Sequence, residues 1–225
     1  MSVAVVRTGV ANLASVVAAF ERLGQEVRFV DTAEEVVAAP RLVLPGVGSF
    51  GAAMEALGSL GVKEALCQRL SEGRATLAIC LGLQLCCEGS EEAPGIPGLG
   101  VVPGRAVRLP DSVRVPQLGW NGLRTDAGCW LLEDGHVVYA NSYALPAPPA
   151  GERIGDWAVA RTEHGLELAG ALERGGNQLL CQFHPELSGP LGARLLMRWL
   201  EAPLAPREAT PGTRSAARTG GGAAC

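Results

Sequence analysis

Apolar residues follow two rhythms along this chain, and their balance shifts near residue 98. Before it, short unbroken apolar runs alternate with stretches in which apolar side chains recur every three or four positions. Runs of the first kind suit strands buried on both faces, and stretches of the second suit helices that cover them. The runs at 2–6, 27–30, 41–44 and 75–79 predict strands. Leu13, Val16, Val17, Phe20 and Leu23 share one helical face, with Asn12 as the cap and Gly24 as the stop. Further helices are predicted over 33–39, 52–57, 62–72 and 83–88. The alternation predicts an α/β fold of three layers, its central sheet mostly parallel and covered on both faces.

Beyond residue 98 the helical period fades and turn signals multiply. Short strands are predicted at 99–103, 106–109, 119–123, 137–141, 157–161, 166–172 and 178–183, which makes the second half strand-rich. Helical spacing returns over 191–200, where Leu191, Leu195, Leu196 and Trp199 share a face. After Pro203 the chain turns to Pro, Ala, Thr, Arg and Gly, ending in a Gly220-Gly221-Gly222 run and Cys225. Such a segment buries too little to offset its ordering entropy. The expected organisation is one domain over 1–202 and a disordered tail over 203–225.

Composition narrows the functional classes. The 225 residues are 48% hydrophobic with a formal net charge of −4. There is no basic field to gather nucleic acid or an anionic membrane surface. The seven cysteines are an odd number, and none sits in a Cys-x-x-Cys pair, so neither a disulfide framework nor a zinc site is suggested. No metal and no cofactor are called for. The apolar start is interrupted by Arg7, which makes a poor signal peptide, and no apolar run nears the ~20 residues of a membrane span. A reducing cytoplasm is the expected location.

The stretch Ala75 to Gln84 draws attention for its chemistry. A strand-forming run ends in Cys80, Gly82 follows, and a helix-compatible segment begins at once. A side chain at such a turn is held out over the sheet edge, and the small Gly82 would let a substrate approach. The helix N-terminus would favour a thiolate, lowering a thiol pKa from ~8.5 into the range of roughly 3.5–7.5. A buried core cysteine fits the same stretch, because cysteine is among the most buried residue types. Of the three histidines, His136 and His164 neighbour glycines and read as exposed turn residues. His184 ends an apolar strand and precedes Pro185 and Glu186. Proline disfavours helix at the residue before it, so the segment is expected to stay extended, with His184 and Glu186 projecting to one side. That places a base beside an orienting carboxylate, although a solvated His-Pro-Glu turn reads the same way in isolation.

Cys80-Leu81-Gly82-Leu83-Gln84, followed about a hundred residues later by His184-Pro185-Glu186, resembles the class I (triad) glutamine amidotransferases. The resemblance runs from residue 1 to about 200 and is closest to the glutaminase subunits of imidazole glycerol phosphate synthases. Gly9-Val10-Ala11-Asn12-Leu13 with Ser15, Leu44-Pro45-Gly46-Val47-Gly48-Ser49-Phe50 and Gly89-Ser90-Glu91-Glu92 carry it. So do Gly98-Leu99-Gly100, Gly119-Trp120-Asn121, Asn141-Ser142-Tyr143 and Gln182-Phe183-His184-Pro185-Glu186. The resemblance implies a flavodoxin-like domain in which Cys80 attacks the glutamine side-chain amide, His184 carries the proton and Glu186 orients His184. It implies an oxyanion hole from the backbone at Leu81 and at Val47–Gly48, and glutamine held by Gln84, Glu92, Ser142 and Tyr143. Read without the family, Glu92 is a solvated member of an acidic loop. The resemblance also implies a (β/α)₈ cyclase subunit as heterodimer partner, met by Asn12, Ser15, Trp120, Asn121 and Leu187, to which ammonia would pass in histidine biosynthesis.

Several positions depart from that family's usual pattern. It has an acid where Arg7 stands, histidines where Gln117 and Asn141 stand, and a lysine where Leu187 stands. By resemblance the last three lie on or near the partner face. An amidotransferase serving anthranilate or pyridoxal phosphate synthesis is a second reading, against which Gly119-Trp120-Asn121 speaks. A non-catalytic binding protein on the same fold is a third, against which the intact Cys80, His184 and Glu186 speak. Cys67, Cys86, Cys87 and Cys181 read as structural, Cys129 receives no role, and Cys225 reads as an exposed thiol of the tail.

Overall fold

The computed structural model describes residues 2–7, 13–46 and 48–206. Within them, β1 (Ser2–Val6), β2 (Glu26–Val30), β3 (Leu42–Gly46) and β4 (Thr76–Cys80) are parallel, and β12 (Gln178–Cys181) adds to β4 in the same sense. The sheet continues antiparallel through β11 (Glu167–Arg174), β10 (Ala158–Glu163), β7 (Gln117–Thr125) and β8 (Gly135–Asn141). Its order is β2-β1-β3-β4-β12-β11-β10-β7-β8. A smaller sheet joins β5 (Cys87–Ser90), β6 (Val102–Arg108) and β9 (Tyr143–Ala144).

Strand alternation builds the three layers. Ala4, Val6, Leu42, Leu44 and Ala78 face one way, onto α2 (Ala33–Ala38), α3 (Phe50–Ser59), α4 (Lys63–Ser71) and α5 (Leu81–Cys86). Val3, Val5, Val43, Leu77 and Ile79 face the other way, onto α1 (Leu13–Arg22) and α6 (Gly189–Glu201). Both faces of β1, β3 and β4 are therefore covered, which is why they read as apolar runs, while the edge strand β2 keeps Glu26 and Arg28 and stays partly exposed. At the amino ends of β3 and β4 the buried Arg69 donates to the carbonyls of Val36, Ala39 and Ala75 and to Thr76 Oγ1, tying α2 and α4 to the sheet. Burial pulls its pKa down to about 10, yet the ring of acceptors satisfies it.

Some elements differ from the sequence expectation. The helix expected over 83–88 starts earlier and stops at Cys86, because Cys87 turns extended and opens β5 against β6. The strands expected at 99–103 and 106–109 are one strand, β6. Pro103-Gly104 looked like a break, but Gly104 takes φ 101° within the strand and the pairing with β5 shifts register there. His136 lies in β8 opposite Gly122 rather than in a turn, and it is exposed as expected. Residues 203–206, counted with the tail, lie against the domain. Leu204 O accepts from Asn177 Nδ2 at 3.1 Å, and Pro206 packs over Gly73. The rest of that tail, 207–225 with Cys225, lies outside the described residues. No helix of the described residues is long and apolar enough to cross a membrane.

Candidate active site

Strand β4 delivers Cys80 to the carboxyl edge of the parallel sheet, and α5 begins at the next residue. Cys80 has φ 55° and ψ −110°, the one positive φ outside glycine among the described residues. Such backbone persists only where its surroundings over-determine it. Here a pair of glycines does so. A Cβ on Gly82 would stand 2.2 Å from Leu44 O, and one on Gly46 would stand 2.7 Å from Gly82 N. Gly82 thus admits the backbone of β3 rather than a substrate, correcting the sequence reading. The same close approach brings Gly48, at φ 95°, into the site beside Leu81.

His184 follows β12 and is extended, as the proline after it requires. The segment does not stay extended, however. Pro185–Leu187 closes a 3₁₀ turn with proline at its first position, where a missing N–H costs nothing. That turn, rather than strand alternation, brings the acid under the base, with His184 Nδ1 2.8 Å from Glu186 Oε1. Both side chains are nearly sealed from water, at 9% and 5% exposed. With Nδ1 engaged, Nε2 is the nitrogen left to face Cys80, which lines the same cavity. Burial works against the charged ring, but the hydrogen bonds to Cys80 and Glu186, and the charge of both, outweigh it and raise the His184 pKa from 6.5 to about 10.

Two further contacts fix the histidine from the far half of the sheet. Its backbone N–H donates to Val138 O at 2.8 Å, and its carbonyl accepts from Ser188 Oγ at 2.6 Å. Ser188 Oγ in turn accepts from Val138 N at 3.0 Å, so one buried hydroxyl bridges β8 and the triad turn. The sequence reading did not single out Ser188. A serine just ahead of the 191–200 pattern carries the signal of a helix cap, but its hydroxyl caps nothing in α6.

A cavity of about 500 Å³ opens in front of Cys80. The expected site residues Gly48, Leu81, Gln84, Glu92, Ser142, Tyr143, His184 and Glu186 all line it. Gln84 Nε2 donates to Tyr143 O at 2.8 Å and to Gln182 Oε1 at 3.1 Å. Glu92 is not a free loop acid, since its Oε2 accepts from Phe50 N at the start of α3 at 2.8 Å. Val47 and Asn12 lie outside the described residues.

Ser15, assigned to the partner face, lines the cavity, as does Leu187, while Trp120 stands clear of it at 60% exposed. Asn121 spends its side chain locally, donating to Glu163 O and accepting from Gly122 N. Leu118, 70% exposed on the cavity rim, was missed. Gln117 and Asn141 are buried cross-strand partners, and Asn141 also lines the cavity. Arg7 stacks over the Phe29 ring at 5.1 Å. Among the described residues no cluster of three or more His, Cys, Asp or Glu is disposed to hold a metal. Four other described thiols lack the elbow's setting: burial pushes Cys86 and Cys129 up to about 12 and raises Cys87 and Cys181 well above the ordinary value.

Residues 5–201 match the family described as Glutamine amidotransferase class-I. The chain belongs to that family. Within this amidotransferase family it groups with relatives named for imidazole glycerol phosphate synthase. One is subunit HisH of Methanothermobacter thermautotrophicus, 38% identical over 88% of this chain and 98% of the relative. Another is the hisHF protein of Arabidopsis thaliana, described as chloroplastic, 39% identical over 87% of this chain but 33% of that protein. Among solved structures, one described as a glutamine amidotransferase superposes with a TM-score of 0.66 at 23% identity, covering 88% of this chain and 97% of its own. The Thermotoga maritima PurLQS structure superposes at 0.64 with 17% identity, covering 89% of this chain and 97% of its own. Those likenesses establish the fold of an amidotransferase domain.

Proposed function

We propose that this amidotransferase is the glutaminase subunit of an imidazole glycerol phosphate synthase. Cys80, His184 and Glu186 are the catalytic residues in this reading. The observation that carries it is the buried His184–Glu186 pair lining one cavity with Cys80, whose sulfur stands at a strained elbow. The Cys80 sulfur attacks the side-chain amide carbon of glutamine. His184 passes a proton to the departing nitrogen, and ammonia leaves a γ-glutamyl thioester. Water, deprotonated by His184, then attacks the thioester and releases glutamate, returning the thiol. Glu186 holds the ring in the orientation each transfer needs.

The oxyanion of each tetrahedral intermediate needs fixed donors. Leu81 N–H is the first of α5 and so has no partner within its helix. Val47 and Gly48 supply the second donor, and each is worth ~2.7–4 kcal/mol of barrier. Gln84, Glu92, Ser142 and Tyr143 hold the glutamine. Glu92 keeps one oxygen for the α-ammonium while the other caps α3.

The partner is a (β/α)₈ cyclase that takes the ammonia. The length of the hisHF relative supports this, since the present chain accounts for 33% of it. Leu118, Trp120 and Leu187 are exposed apolar side chains, two of them on the rim of the cavity that releases ammonia, and they are the candidate contact. The test is glutamate production by the purified chain with and without the cyclase. Stimulation of hydrolysis by the cyclase is expected; hydrolysis absent under both conditions would remove the proposal.

A further inference from the structure

Gln182 sits between β12 and His184, fully buried and behind the cavity wall. Its backbone N–H donates to Gly170 O at 2.9 Å. Its side chain is held at both ends: Oε1 accepts from Gln84 Nε2 at 3.1 Å, and Nε2 lies 3.7 Å from Cys80 Sγ. Gln84 Nε2 also donates to Tyr143 O at 2.8 Å, which identifies it as the donor end of that amide. Flipping Gln182 would set two donors against each other, so its N–H faces the sulfur. The sulfur meets an opposite kind of neighbour in Ala140 O, at 3.8 Å. A thiol S–H has an acceptor in that carbonyl, whereas a thiolate has a donor in Gln182.

We propose that Gln182 is the hydrogen-bond donor that favours the ionised form of Cys80, and that Gln84 holds it in place from the glutamine pocket. The proposal rests on the reading of Cys80 as nucleophile. A fixed donor beside a buried anion stabilises it more than a neutral group, because bonds to ionised partners are the stronger ones. Gln84 lines the cavity and Gln182 does not, so a ligand that pulls on Gln84 changes the grip on Gln182 and reaches the sulfur through it. Other titratable groups face the same space. His184 and Glu186 come from the 3₁₀ turn, and Glu92 and Tyr143 from across the cavity. Cys181 on β12 and Tyr139 on β8 share the apolar layer with Cys80, and burial keeps both neutral through the working pH range. Neither β3 nor β4 brings a charged residue, and α5 brings none.

The test uses the full chain and needs neither glutamine nor a cyclase. The rate of iodoacetamide modification of the Cys80 peptide is followed from pH 5 to 10 in wild type, Gln182→Met, Gln182→Glu and Gln84→Met. Gln182→Met removes the donor at nearly constant volume. Its midpoint should rise by about one unit, making modification about tenfold slower at pH values below the wild-type midpoint. Gln182→Glu, which replaces the donor by a negative acceptor, should shift it further. Gln84→Met releases the anchor and should give an intermediate shift, and it carries the test if Gln182→Met does not fold. A merely structural role would lower the melting temperature without moving the midpoint. Wild-type midpoints in folded Gln182→Met, or in folded Gln84→Met should that variant carry the test, would overturn the proposal. Shifted midpoints in a chain that hydrolyses no glutamine, with or without cyclase, would support it while defeating the glutaminase reading.

Discussion

Strands β1 to β4 and β12 run parallel while β11, β10, β7 and β8 continue the sheet antiparallel, and the candidate site draws on the two halves differently. From the parallel half come backbone positions: the elbow at Cys80, the turn at Gly46 and Gly48, and the start of α5. These stand at the carboxyl ends of parallel strands, where open α/β sheets place their ligands. From the antiparallel half come a wall and a clamp. Ala140, Asn141, Ser142 and Tyr143 line the cavity, and Val138 holds His184 by its backbone. Strand β8 is four places from β12 in the sheet order, yet the sheet curls until the two meet at the triad. Cys80, the proposed nucleophile, is therefore set by local geometry, and His184, the proposed base, by long-range contacts across the seam.

Changes on each side of that seam should separate the two kinds of control. Cys80→Ala should lose hydrolysis by at least about 10³-fold with the melting temperature little changed, since among the described residues no other cysteine stands beside an imidazole and a carboxylate. Activity near wild type would remove the elbow from the chemistry. Glu186→Gln should cost about 10²- to 10⁴-fold in kcat with KM much less affected, as for other orienting acids. It should also move the histidine. The His184 pKa is raised from 6.5 to about 10 in the folded chain, so its contribution to stability is full below the ordinary value and is lost as pH rises toward 10. In Glu186→Gln the NMR titration of His184 should fall toward the ordinary value, and an unmoved midpoint would break the link.

Structural changes should act more weakly. Gly82→Ala puts a Cβ 2.2 Å from Leu44 O, and overpacking of this kind costs about 1–3 kcal/mol or more, read by denaturant unfolding. On the other side, Ser188→Ala leaves the half-buried Val138 N–H and the His184 carbonyl without their bridge. A loss of about 1–3 kcal/mol and a lower kcat at unchanged KM are expected. The smallest effect belongs to Leu187→Lys, at 49% exposed, with stability within about 0.5 kcal/mol of wild type. Its consequence should be confined to binding a cyclase that carries an acid at the contact, which titration calorimetry would detect.

Legibility in the sequence followed the same division. The inner strands β1, β3 and β4, buried on both faces, appear as apolar runs, and the elbow at Cys80 follows from one run meeting one helix. His184 and Glu186 were found together, but for a reason the structure replaces, a 3₁₀ turn standing where an extended segment was expected. The smaller sheet was blurred because Pro103-Gly104 carries a turn signal inside a continuous strand. Ser188, and the buried facing of Gln117 with Asn141, were out of reach. Each depends on which distant strand arrives opposite, and nothing in a local window encodes that.

The seam is proposed to assemble one nucleophile for glutamine. The most direct test is covalent labelling with a diazoketone analogue of glutamine in the presence of the cyclase, with the site found by peptide mass spectrometry. One adduct on Cys80 is expected, blocked by excess glutamine and lost when His184 is replaced by alanine. An adduct on another cysteine, or labelling indifferent to glutamine, would contradict the account.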